Sequence, residues 1–76
     1  MENPDQQQHE TVEVSLNGKE RRIKAGTYTT AQLKAALHVD PALDLDIVEN
    51  GVFRTLTEAD NTTVKEHMIC VSHVHQ

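Results

Sequence analysis

Between Thr11 and Leu16 apolar and polar residues alternate without a break, and the run stops at Asn17-Gly18. A period of two sends Val12, Val14 and Leu16 to one face of an extended strand and Thr11, Glu13 and Ser15 to the other. Asn-Gly accepts the positive φ of a primed two-residue turn, so the strand is expected to double back as a hairpin. The return strand, about Lys19 to Ala25, offers one strong core candidate, Ile23, among charges. It reads as an edge or edge-adjacent strand, because Lys and Arg oppose pairing with a foreign sheet. At 76 residues the chain has room for one small domain, and whatever follows the hairpin must pack onto it.

Thr29 to Gln32 fit a capping box, with Thr29 as N-cap and Gln32 reaching back to its amide. Leu33, Ala36 and Leu37 then share one helical face, Ala31, Lys34 and Ala35 supply propensity, and Asp40-Pro41 forbids continuation. The spacing predicts a helix of around ten residues. Leu43, Leu45 and Ile47 alternate with Asp44, Asp46 and Val48, so a third strand turns aliphatics inward and acids outward, with Val48 the outward exception. Glu49-Asn50-Gly51 ends it in a second turn, and Val52 to Leu56 can form a short fourth strand. Residues 57–63 lack periodicity and suit a turn-rich crossing, from which Val64 plugs the core. The last run, Met68 to Val71 followed by Ser72, His73 and Val74, is apolar on both faces and suits a central strand.

Composition bounds the function. Twelve acidic against seven basic residues, net charge −5, argue against a nucleic-acid partner, which needs clustered positive charge. Lys19, Arg21, Arg22 and Lys24 form the main basic cluster and read as a solvated strand face. The single cysteine, Cys70, has no internal disulfide partner, which points to a reducing compartment and, by default, the cytoplasm. The N-terminus shows neither a signal-peptide pattern nor a membrane anchor, and no stretch is apolar enough to span a bilayer. Residues 1–10, with Pro4, three glutamines and three acids, are expected to be a disordered tail preceding a domain over residues 11–76. So small a domain buries only about 60% of its unfolded surface and does not enclose a large cofactor, so none is expected.

A hairpin, one helix and two or three further strands make an α+β domain of two layers, a mixed four- to five-stranded sheet with the helix packed across one face. This is the β-grasp order of ubiquitin-like proteins. Leu16 to Glu20 in the hairpin, Ala25-Gly26 before the helix, Ala31 to Lys34 within it, Asp40-Pro41 after it and Val71 to Val74 at the end carry a more particular likeness. Over about Val12 to Val74 the chain resembles the bacterial multi-ubiquitin-type and related small ubiquitin-like domains. The resemblance implies protein partners of ubiquitin-activating-like, conjugating-like or JAB-type peptidase-like kind. Ubiquitin-like modifiers and β-grasp sulfur carriers present a carboxyl end of two glycines, whose bare backbone threads the activating enzyme's narrow channel. This sequence reads Val74-His75-Gln76 there, and Gly18, Gly26 and Gly51 all fall in turns. A modifier or carrier using the Gln76 carboxylate is therefore the disfavoured alternative.

His67, Cys70, His73 and His75 are zinc-type ligands close in sequence. Alternation puts the three histidines on one strand face and Cys70 on the other, with His67 about 20 Å from His73, so no four-ligand site is expected. His73 and His75 remain as a surface chelate within a homo-oligomeric or metal-binding scaffold, although solvent-facing tail histidines are the preferred reading and no metal site is assigned. Cys70 reads as core filler, Asp44 and Asp46 as a solvated face, and His9 and His38 as exposed. No residues form a catalytic constellation, so an enzyme is not expected. Tyr28 and Phe53 are expected to anchor the helix start and the hairpin.

The last strand is apolar at consecutive positions, so either Met68 with Cys70 or Ile69 with Val71 must face away from the helix. Together with Val48, the outward pair is expected to form an apolar patch rimmed by Arg22, Lys24 and His73, similar to the recognition surface of ubiquitin. Contiguous apolar exposure on a small domain marks a contact surface. The expected function is accordingly that of a non-enzymatic protein-binding module, with a homodimer as an alternative use of the same patch.

Overall fold

The computed structural model describes residues 10–75. The tail expected before Thr11 lies, apart from Glu10, outside the described residues, and so do His9 and Gln76. The elements are β1 Thr11–Leu16, β2 Lys19–Lys24, β3 Thr27–Thr29, α1 Thr30–Ala36, β4 Leu43–Glu49, β5 Val52–Thr55, β6 Asn61–Thr63 and β7 Met68–Val74. Five strands form one sheet in the order β2-β1-β7-β4-β5, while β3 and β6 pair separately. β1 and β7 run parallel, and the other neighbours in the large sheet are antiparallel. A mixed five-stranded sheet with one helix across it, the first and last strands parallel at its centre, is the β-grasp architecture.

Both hairpins turn as their sequences require. Asn17 and Gly18 have φ of 53° and 84°, and Asn50 and Gly51 have φ of 53° and 77°, the two consecutive positive values of a primed turn. Asn17 also holds the first turn to the last strand. Its Nδ2 donates to Ser72 Oγ at 2.8 Å, and its Oδ1 accepts the Ser72 amide at 2.9 Å.

The capping box forms as expected. Thr29 Oγ1 accepts the Gln32 amide at 3.1 Å while Gln32 Oε1 accepts the Thr29 amide at 3.0 Å. The helix is shorter than its apolar spacing implied, seven residues, and it stops before Asp40-Pro41 is reached. His38 takes φ of 60°, its amide donates to Ala35 O and the Val39 amide to Lys34 O. This is a Schellman closure with histidine where glycine is usual. Val39 is buried immediately afterwards, which rewards ending the helix there.

Leu33 on the helix, Leu37 at its C-cap and Leu45 on the sheet are all 0% exposed. Around them pack Val14, Leu16, Ile23, Val39, Ile47, Leu56, Val64 and Cys70. The crossing between β5 and β7 contains an unforeseen element, β6, which pairs with β3 in a two-stranded ribbon where Tyr28 lies opposite Thr62. Thr30 Oγ1 donates to Thr57 O at 2.6 Å, tying the helix start to that crossing. Val64 is 5% exposed and fills the core as expected. Among the described residues no helix is long and apolar enough to cross a membrane.

Candidate functional site

The face of the sheet opposite the helix is organised by register. Cys70 is buried and Met68 packs against the core, so both face the helix. Ile69 and Val71 therefore face outward, which resolves the choice left open by the sequence. Met68 leaves the candidate surface for this reason.

Ile69 lies opposite Val48 across β7 and β4, and Val48 lies opposite Phe53 across β4 and β5. Phe53, Val48 and Ile69 thus form a row across three strands, about 10 Å from end to end at the usual strand spacing. Phe53 is 62% exposed and Ile69 46%. The expectation that Phe53 anchors the hairpin is overturned, because it stands on the outer face and not over the core. Tyr28 behaves as expected, packed against the core with its hydroxyl donating to Lys24 O at 2.6 Å. Val71, half-buried, adjoins the row one step along β7.

The rim differs from the expected basic one. Arg22 and Lys24 share the outer face but belong to the edge strand β2, with β1 between them and Ile69. Glu13 faces Arg22, Ser15 faces Glu20, and Ser15 also lies opposite Ile69. The Arg22 guanidinium donates to Thr11 Oγ1 at 3.2 Å. Acidic and basic residues therefore alternate along that side.

Asp44 and Asp46 are not a solvated pair. His73 Nε2 meets Asp46 Oδ1 at 2.9 Å, and His75 Nδ1 meets Asp44 Oδ2 at 2.8 Å. Asp46 is only 7% exposed. Burial works to raise its pKa, but hydrogen bonds from Thr55 and His73 and the His73 charge outweigh it and hold the carboxyl below the usual value. His73 moves upward, through its bond to Asp46 first and its Nδ1–H to Val74 O second, with the charges of Asp46 and Asp44 adding. The signal was present in the sequence: alternating acids on β4 and alternating histidines at the end of β7 and just beyond it become diagonal neighbours once the strands pair antiparallel. His73 and His75, expected as free tail imidazoles, are each engaged by a carboxylate.

Cys70 is core filler, its thiol pushed up to about 11 by burial. Of the expected contact residues, Val48, Ile69, Val71, His73, Arg22 and Lys24 share the outer face, with the first three contiguous and Phe53 added to them. No protein-family model matches the chain, and neither do the curated proteins nor the solved structures with which it was compared.

Proposed function

We propose that this chain is a non-enzymatic, ubiquitin-like protein-docking module that binds its partner through the outer sheet face, with Phe53, Val48, Ile69 and Val71 as the contact centre. The observation that carries this reading is the unbroken apolar row across β5, β4 and β7. These side chains sit on rigid strands away from the core, so their exposure is not needed for folding, and contiguous apolar exposure is the mark of a contact site. The resemblance noted in the sequence supplies the partner class: activating-like, conjugating-like or JAB-type peptidase-like proteins of a bacterial ubiquitin-like system.

The test is a binding titration of the purified chain against the activating-like enzyme of its own genome, comparing the parent with Phe53→Ser/Ile69→Ser. Loss of binding by about tenfold or more with unchanged thermal unfolding supports the reading. Unchanged affinity removes this face as the contact site. Val71 is left intact in the test because it lies opposite Asp46, where a new polar group would disturb the Asp46–His73 pair.

A further inference from the structure

We propose that Glu13, Glu66 and His67 form a binding site for a zinc-type divalent cation at the start of the β1–β7 pair. One ligand atom from each residue lies within 4.8 Å of the other two. A tetrahedral zinc at about 2.0–2.2 Å from oxygen and nitrogen ligands requires them about 3.4 Å apart. Glu66 and His67 are exposed and Glu13 half-buried, so modest side-chain rotations close that gap.

The backbone already fixes the three residues together. The His67 amide donates to Glu13 O at 2.6 Å, and the Glu13 amide donates to Glu66 Oε1 at 3.2 Å. The second oxygen of Glu66 is left for a cation. His67 takes φ of 67° in the turn before β7, which places its ring beside Glu13 and not further along the strand.

The charge balance argues for a cation as well. Among the described residues neither carboxylate forms an ion pair; the pairs present are Arg54 with Asp60, His73 with Asp46 and His75 with Asp44. Arg22 faces Glu13 across the hairpin but directs its guanidinium to Thr11. Two carboxylates are thus held close without an ion-pair partner among the described residues, and a divalent ion would neutralise both. The imidazole selects the ion class: magnesium and calcium favour oxygen shells, whereas mixed nitrogen and carboxylate sets suit zinc and its neighbours. The fourth position is open to water. His73 and His75, the alternative chelating pair that the sequence offered, already have their own carboxylates and make the poorer site.

Calorimetric titration of the full chain with Zn²⁺ in a chelator-free buffer tests the assignment. One equivalent is expected to bind, with affinity falling about tenfold or more in His67→Asn and in Glu66→Gln. The His73→Gln/His75→Gln variant is expected to bind within about twofold of the parent. Asparagine tolerates the left-handed backbone of residue 67, and the amide oxygen introduced by Glu66→Gln still accepts from the Glu13 N–H. Matching thermal midpoints without metal show that His67→Asn and Glu66→Gln fold; the midpoints of the parent and of the His73/His75 variant are expected to rise with zinc, and those of His67→Asn and Glu66→Gln much less. Absence of binding at about 1 mM Zn²⁺, undiminished affinity in His67→Asn, or loss of binding in the His73/His75 variant or in His9→Gln overturns the proposal.

Discussion

His73 and Asp46 meet at 2.9 Å on a diagonal of the β4–β7 pair, since the register sets His73 opposite Asp44 and Asp46 opposite Val71. The same offset joins His75 to Asp44. Two carboxylates and two imidazoles therefore lace the end of the last strand to its neighbour.

This lacing gives stability a defined pH window. The raised pKa of His73 contributes fully below the ordinary imidazole value of 6.5 and is lost as pH rises through the folded value. The lowered pKa of Asp46 contributes above the ordinary carboxylate value of 3.8 and is lost as pH falls through its folded value. The pair is thus worth most between those two values. Urea midpoints measured from about pH 5 to about pH 9 should decline on the alkaline side, and His73→Gln should flatten that decline.

His38 sits in the left-handed region that costs an ordinary residue about 1–2 kcal/mol. Its side chain is exposed and has no hydrogen bond among the described residues. His38→Gly should raise stability by about 0.5–1 kcal/mol, part of the relief being offset by the extra freedom of glycine when unfolded. Denaturant melts decide this, and a loss of stability would mean that His38 makes a contribution beyond its backbone.

Asn17→Gly isolates a different effect. The turn keeps its positive φ, but the two bonds to Ser72 disappear. A loss of about 1–2 kcal/mol is expected in urea unfolding, together with faster amide exchange at Ser72.

Cys70 should resist alkylation in the native state, because the residue is 1% exposed and its thiol pKa is displaced to about 11. Labelling followed by mass spectrometry should track opening of the domain, accelerating in urea. Rapid labelling under native conditions would contradict the packing of β7.

Thr62 is buried, and its hydroxyl finds no partner among the described residues. Thr62→Val keeps the shape and removes the unpaired group, so the thermal midpoint should rise by an amount corresponding to about 1 kcal/mol. A fall would show that the hydroxyl is satisfied in solution.

The fold was legible where local chemistry and periodicity agree. Two Asn-Gly turns, the Thr29–Gln32 box and the alternation of β1 and β4 each name their own geometry. The helix end is obscured because Asp40-Pro41 is the louder stop, whereas a histidine in the role of glycine carries no sequence signal. β3 and β6 escape notice because three-residue strands have no measurable period; only their β-branched threonines hint at them. The candidate surface was half visible. Val48 and the apolar last strand announced it, but the facing of Met68 and the place of Phe53 depend on pairing between distant strands. The same holds for the Asp–His diagonals, in which each residue is ordinary until the register makes it a neighbour.

The parallel alignment of β1 and β7 also has a mechanical consequence. The start of one strand and the finish of the other lie at opposite ends of the central pair, which is joined through Val14–Met68, Ser15–Ile69 and Leu16–Cys70. Tension drawn between those ends slides the strands past each other and loads their hydrogen bonds together, in shear, instead of peeling them singly. A tether running through this domain would meet its greatest resistance at that seam, and would lose the flanking β2 and β5 hairpins only after the seam had failed.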